Sequence, residues 1–383
     1  MAKLIYDNTK NRDVFYAVKM DIVDPFFLID LGVKKYVFLD HREFGLFQER
    51  NKNQNIEVQL LNPLVQEAAK LSLSKDNLQN LAWYLLQKYE LLGEIITVPN
   101  NFPLLLADFL RSKGVKLVPQ IHLYPERASK TPDEAEAIRS SVQKTEKAFA
   151  LIEKILRESV IKGNSIFYSG AILTSEFLKK EVERLLFEED MISEEGIIIS
   201  SGLQTAIPHH PGKGAIKPHE PIVCDIFPKS RATRYFADVT RTFVKGTPTE
   251  ELRKMYEAVR KAQKEGIEAV APGKKASDIH KICAEILLDA GYDVGDKGFI
   301  HNTGHGVGLE VHEEPRLGER VEYELVPGNV ITIEPGLYYL LESERPRSRR
   351  PEIGGIRIED DILVTKDGFE NFTTFPKDKW IIP

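Results

Sequence analysis

Cysteine is scarce in this chain. There are two, Cys224 and Cys283, in 383 residues. Two thiols cannot build a disulfide framework, and a reducing cytoplasm is the expected setting. Long hydrophobic runs are missing as well. No stretch approaches the roughly 20 apolar residues that cross a bilayer. The opening MAKLIYDNTKNRD lacks the unbroken apolar segment of a secretion signal. Excess positive charge is also absent: the formal net charge is −6. That argues against nucleic acid as the main partner. What is present is ordinary for a globular protein, with 42% hydrophobic and 29% charged residues. The length suggests two domains, each able to bury a core. The expectation is a cytoplasmic enzyme with neither a nucleic-acid nor a membrane partner.

The first third alternates strand-like and helix-like segments. PFFLIDLG, KKYVFLDHREF, IEVQLL, EIITVP and VKLVPQ read as strands, rich in β-branched and aromatic residues. Between them NPLVQEAAKLS, DNLQNLAWYLLQKYELLG and FPLLLADFLRSKG carry apolar residues at helical spacing. This alternation predicts an α/β domain. His41 stands alone in LDHRE and has no expected catalytic role. A boundary falls in LYPERASKTPDEAEAIRSS, dividing the chain into 1–127 and 128–383. Thr131, Pro132 and Glu134 there form a helix start. Helices are expected to about 160 and over about 174–190, 249–270 and 276–290. The expected strands are IIISSGLQTAI, PIVCDIF, RYFADVTRTFVKG, GNVITIEPGLYYL and GGIRIEDDILVT. The basic, proline-bearing 342–352 reads as an exposed loop that either overhangs a cleft or is inert surface.

Three of the later strands carry an acid on one face. Strand alternation puts Asp238 with Phe236, Thr240 and Thr242; Glu334 with Val330 and Thr332; and Arg357 with Glu359 and Asp361. A half-exposed sheet with a polar outer face would give the same pattern. The polar faces, however, hold short acids and threonines where lysines would be expected. Pro335 and Gly336 end one strand at its acid, a common place for a functional side chain. Asp225 is surrounded by apolar residues in PIVCDIF, and a buried lone carboxylate needs a cation.

The stretch HNTGHGVGLEVHEEP, 301–315, holds His301, His305 and His312. Gly304, Gly306 and Gly308 argue against a helix and for a bent or tightly packed chain. His305 and His312 are seven apart, so an unbroken strand would point them to opposite faces. If Asp225, Asp238, Glu334, Glu359 and one histidine converge, the site carries a charge of about −4, which two divalent ions would balance. Oxygen donors with one imidazole suit manganese, cobalt or zinc. A water bridging two such ions loses a proton easily and becomes a hydroxide nucleophile. The residues alone thus point to a two-metal hydrolase.

Taken in order, CDIF, YFADVTRTF, GHGVGLEVHEEP, TIEPGLY and GGIRIEDD resemble the pita-bread metallopeptidases, specifically the Xaa-Pro branch of aminopeptidase P and prolidase. The resemblance runs strongly over about 130–383, and more weakly to a creatinase-type N-terminal domain before it. It implies an α/β creatinase-like domain, 1–127, followed by an α+β pita-bread catalytic domain, 128–383. It implies two divalent metal ions, Mn²⁺ first and Co²⁺ or Zn²⁺ as alternatives. Asp225, Asp238, His305, Glu334 and Glu359 match the metal ligands, with Asp238 and Glu359 bridging. Glu334 also matches the proton shuttle. His312 and His209 match histidines at the substrate carbonyl, and Arg357 matches an arginine pairing with a carboxylate or the substrate. His210, His219, His280 and His301 match no secure role and are expected to be structural or on the surface.

Two departures from the pattern stand out. The first two acids are 13 residues apart, with Phe227 where a glycine is usual and Cys224 as the rival ligand. The last two acids are 25 apart, because the arginine-rich loop intrudes. The implied activity is hydrolysis of Xaa-Pro bonds in proline-containing peptides by a metal-bridging hydroxide, as aminopeptidase P or prolidase, in a homodimer. The alternatives are a catalytically inactive pita-bread protein that binds peptides or proteins, and a creatine-type amidinohydrolase. The intact ligand set counts against both.

Overall fold

The computed structural model describes residues 1–340 and 354–383, so the basic segment 342–352 falls outside the described residues. The chain divides into two compact units, Met1–Pro125 and Glu126–Pro383.

The first unit is built on a six-stranded mixed sheet. Its order is Ile56–Leu60, Lys35–Leu39, Phe26–Asp30, Ala2–Asp7, Ile95–Pro99 and Lys116–Gln120. Strand alternation gives this sheet two buried faces. Leu4, Phe27, Ile29 and Phe38 pack with residues of the helices Leu61–Lys70, Asn77–Lys88 and Leu104–Ser112. Ile5, Leu28, Val37 and Leu39 pack on the other side with residues of Arg12–Val18 and His41–Arg50. The expected strand through HREF is instead the start of that last helix. Asp40 caps it by accepting from the Arg42 N–H at 2.8 Å, and a capped turn outweighs the aromatic content. The opening strand and helix, Ala2–Asp7 and Arg12–Val18, had no counterpart in the sequence reading.

The second unit opens on the helix Pro132–Glu158. Thr131 and Glu134 close a reciprocal capping box at its start, with Pro132 in the first turn. Ile138, Val142, Phe149, Ile152 and Leu156 bury one stripe of it. The helices Ser175–Glu188, Glu250–Glu268 and Ala276–Asp289 follow. A four-stranded sheet runs in the order Ile198–Ser201, Pro221–Ile226, Val239–Lys245, Ile381–Ile382. A five-stranded sheet runs in the order Glu313–Leu317, Gly304–Gly306, Val330–Ile333, Asp360–Val364, Phe369–Asn371. One isolated bridge, Thr240 to Glu359, joins the two sheets.

Two expected single strands are each two strands in different sheets. Pro335, with no N–H to give, interrupts GNVITIEPGLYYL. Val330–Ile333 stays in the five-stranded sheet while Gly336–Tyr339 pairs with Gly354–Arg357. GGIRIEDDILVT likewise leaves that small ribbon after Arg357 and joins the larger sheet at Asp360.

Gly304 shows how tightly this region is assembled. A Cβ added there would lie 1.9 Å from the Thr332 carbonyl oxygen, which the sheet holds in place. Gly304→Ala should therefore cost about 1–3 kcal/mol of stability, as overpacking does. Urea unfolding reads it, and an unchanged midpoint would contradict the close approach.

Candidate metal centre

Asp225 and Asp238 come together through strand register. Pro221–Ile226 and Val239–Lys245 are antiparallel, with Asp225 opposite Thr240. The 13-residue spacing is a long hairpin that closes where the Ala237 N–H donates to the Pro228 carbonyl at 3.0 Å. It moves neither acid out of reach of the other. Alternation turns Cys224 to the opposite face, where it faces Arg241 in register. The thiol is buried, which pushes its pKa up, and Cys224 belongs to none of the donor groups found among the described residues.

The other donors enter at strand ends. His305 is the middle residue of Gly304–Gly306, and its N–H donates to Thr332 Oγ1 at 3.1 Å. Glu334 follows the last residue of Val330–Ile333, and its N–H donates to the Thr303 carbonyl at 2.7 Å. Glu359 lies in the gap between Gly354–Arg357 and Asp360–Val364. Its Oε2 accepts from Thr240 Oγ1 at 2.7 Å. The chain between His305 and His312 reverses as a hairpin, with Gly306 opposite Glu313. That reversal brings the two imidazoles edge to face with centroids 4.3 Å apart, despite their odd separation.

The resulting geometry is dense. Ligand atoms of Asp225, Asp238 and Glu359 lie within 4.8 Å of one another; so do those of His305, Glu334 and Glu359, and those of Asp238, His305 and His312. His305 Nε2 is 3.3 Å from Glu334 Oε1 and 3.6 Å from Asp238 Oδ2. Arg357, 4% exposed, donates from Nη2 to Asp225 Oδ2 at 2.6 Å, from Nε to Thr240 Oγ1 at 3.2 Å and from Nη1 to Tyr338 Oη at 3.0 Å. His209 is not among these convergent donors of the described residues. It follows the short 3-10 turn Gly202–Ala206, close enough for its charge to act on His301.

Three contributors escaped the sequence reading. His301, expected to be structural or exposed, has Nδ1 3.9 Å from Glu334 Oε2 and Nε2 3.0 Å from Tyr338 Oη. Tyr338 sits in an apolar run with no periodic signal. Asp361 accepts the Asp238 N–H at 2.9 Å, from a fully buried position. The acid-bearing faces read from alternation hinted at Asp361; nothing local marked Tyr338.

Electrostatics test whether these residues fit a divalent metal. Burial, then the charges of Glu359 and Asp225, push the Asp238 carboxyl well above its usual range. Burial pushes Glu334 up to about 8; Arg357 opposes the rise and Asp225 adds to it. Burial, then Glu334 and Asp225, raise Glu359. Burial pushes His305 down to about 4, and burial with the His305 charge pushes His312 down to about 4. Imidazoles kept neutral are competent ligands. Asp225 Oδ1 is buried and has no hydrogen-bond partner among the described residues. Among the described residues, four carboxylates faced by one guanidinium, with such an orphaned oxygen, are a donor set short of positive charge. They fit a divalent metal centre.

The model of metallopeptidase family M24 matches residues 136–366, more than half of the chain. The chain belongs to metallopeptidase family M24. It is 42% identical over 177 residues to the Xaa-Pro dipeptidase of Pyrococcus furiosus, covering 46% of this chain and 46% of that protein. It is 32% identical over 258 residues to the Xaa-Pro dipeptidase of Lactobacillus delbrueckii subsp. lactis, covering 67% of this chain and 63% of the relative. These alignments thus span about half to two thirds of the relatives' lengths. The fold is similar throughout to the solved structure "Prolidase from Pyrococcus furiosus". The TM-score is 0.73 at 27% identity, over 97% of this chain and 96% of that one. This M24 chain therefore has the two-domain pita-bread architecture of the Xaa-Pro branch. Among the described residues, no helix is long and apolar enough to cross a membrane.

The buried charges make stability depend on pH and metal. An acid whose folded pKa is raised is protonated in the native state and ionised in the unfolded one between the two pKa values. Stability then falls as pH rises through that window. Buried histidines act in the opposite sense, but only below their unfolded value of about 6.5. Between about pH 6.5 and 8, where Glu334 is raised to about 8 and Asp238 and Glu359 are raised with it, the metal-free protein should lose melting temperature as pH rises. Saturating Mn²⁺ should flatten the trend. Melting curves in chelator and in Mn²⁺ read this, and a flat metal-free profile would contradict the charge assignment.

Proposed function

We propose that this M24 chain hydrolyses Xaa-Pro peptide bonds with two divalent metal ions, Mn²⁺ first among them, held by Asp225, Asp238, His305, Glu334 and Glu359. The observation that carries the reading is the convergence of these five side chains in overlapping donor groups. Asp238 and Glu359 are assigned as the bridging carboxylates. The dipeptidase activity is favoured over that of an aminopeptidase P by the two similar Xaa-Pro dipeptidases. Residues 1–127 are assigned as the creatinase-like domain and 128–383 as the catalytic domain. A cytoplasmic setting agrees with two buried free cysteines, and a homodimer follows from the family resemblance.

The substrate bond explains the residue types. An Xaa-Pro bond is a tertiary amide without an N–H, on a ring that fixes φ, so enzymes that hold substrates as extended strands grip it poorly. When bound, the metal pair supplies Lewis-acid polarisation and lowers the pKa of water. Glu334 is the group that takes a proton and passes it to the leaving imino nitrogen. Its carboxylate, at the end of a strand and facing His305, is placed to accept the proton and to give it up. His312, beside His305, and His209 are assigned to the substrate carbonyl, where they stabilise developing negative charge. Arg357 holds Asp225 in place through the 2.6 Å ion pair and donates to Tyr338. It is assigned as a positioning residue.

Xaa-Pro dipeptides should be cleaved after Mn²⁺ loading, with longer Xaa-Pro-Xaa peptides poor substrates. Cleavage of the longer peptides alone would replace dipeptidase by aminopeptidase P, and no proline-bond cleavage with Mn²⁺, Co²⁺ or Zn²⁺ would overturn the reading.

Glu334→Gln removes the proton carrier while keeping the side-chain shape. Its kcat should fall by about 10²–10⁴, with the circular dichroism spectrum unchanged; full activity would take Glu334 out of the chemistry.

A further inference from the structure

Glu359 is held at a weak point of the framework. Residues 358 and 359 lie where the chain leaves the Gly336–Tyr339 ribbon and has not yet joined Val330–Ile333. A regular ladder does not fix them on both sides. The Glu359 N–H donates to the Thr240 carbonyl at 3.1 Å, and its carboxylate accepts from Thr240 Oγ1. Its own carbonyl still needs a donor.

That donor comes from behind the sheet. Arg241 follows Thr240, so alternation sends its side chain to the face opposite the metal centre. It is 1% exposed. One terminal nitrogen, Nη1, donates both to the Thr240 carbonyl at 2.9 Å and to the Glu359 carbonyl at 2.8 Å. The other, Nη2, donates to the Phe375 carbonyl at 2.8 Å and forms an ion pair with Asp360 Oδ1 at 2.9 Å. Asp360 is fully buried, and its other oxygen takes Lys377 and Asn371 Nδ2. The buried guanidinium thus has a counter-ion beside it, shared with Lys377, and its two terminal nitrogens are met by backbone carbonyls. A lysine has one point of charge and cannot span the same acceptors.

We propose that Arg241 is a positioning residue for metal binding: by bridging the Thr240 and Glu359 carbonyls from the back of the sheet, it sets the Glu359 carboxylate toward the metals. The inference rests on the assignment of Glu359 as a ligand. Outer partners of ligands alter metal affinity by about 10–100-fold when changed, and Arg241 acts on its ligand through the backbone instead of the side chain. It touches neither substrate nor metal.

The test separates positioning from stability. Arg241→Lys and Arg241→Met are stripped of metal and checked for folding by circular dichroism. They are then titrated with Mn²⁺ by calorimetry well below their melting temperatures. Tyr256→Phe, which removes the hydrogen bond from Tyr256 Oη to the Lys377 carbonyl, serves as a destabilised control. The expected result is a loss of Mn²⁺ affinity of about 10–100-fold in the arginine variants and none in Tyr256→Phe. Folded arginine variants with wild-type Mn²⁺ affinity would overturn the proposal, whatever their melting temperatures. If neither folds, Asp360→Asn, which frees the guanidinium from its counter-ion, is read on the same scale. Glu359→Gln tells the two readings apart: if it binds Mn²⁺ like the wild type, the ligand assignment fails; if it loses Mn²⁺ while the arginine variants keep it, only the role of Arg241 fails.

Discussion

The second unit depends on the repulsion among carboxylates gathered in one buried place. Asp225, Asp238, Glu334 and Glu359 fall with His305 into overlapping groups whose ligand atoms lie within 4.8 Å of one another, and Arg357 pairs directly with Asp225. In water such groups would separate. In the folded chain burial and mutual charge raise the pKa values of Asp238, Glu334 and Glu359. The free energy of folding elsewhere must therefore hold an arrangement that opposes folding locally until positive charge arrives. Affinity for a divalent ion and local instability of the metal-free chain are two expressions of the same energy.

Rigid elements meet that cost. Four of the donors sit in strands or next to their ends, where backbone ladders fix Cα positions, and Glu359 is secured by the bridge to Thr240. The two sheets share the load: Asp225 and Asp238 come from one, His305 and Glu334 from the other, and Glu359 lies at the crossing. Two arginines serve opposite faces of the same strands. Arg357 works inside the site and offsets the charge of Asp225. Arg241 works behind it, bonded to main-chain oxygens and balanced by Asp360. The same residue type can do both because the guanidinium presents several donors in one plane.

Much of the site was legible before any fold was known, for reasons that are local. A period of two along YFADVTRTF, VITIEPG and GGIRIEDD put the acids on definable faces, and the glycines of GHGVG argued against a helix. The proline after Glu334 marked the strand end where the acid lies. Other features were hidden because they depend on partners far along the chain. His301 looked idle because Tyr338 and Glu334, its neighbours in space, lie more than thirty residues away in sequence. The helix at HREF was missed because an aspartate cap outweighs aromatic and β-branched composition. The single strands expected across Pro335 and across Ile358 each divide between two sheets, and only sheet pairing separates them.

By itself, the sequence marked which residues are candidates for the chemistry and the order in which they occur. It also determined the α/β then α+β succession and the shortage of positive charge among the later acids. These follow from residue type and short-range periodicity. Tertiary structure alone decided which carboxylate meets which imidazole. It brought Asp225 to Asp238 across a 13-residue hairpin, and it set an arginine behind the sheet against the Glu359 carbonyl. Contacts between residues 241 and 359, or 225 and 357, are set by strand register and sheet crossing. Those are properties of the packed whole, which no local pattern in the chain encodes.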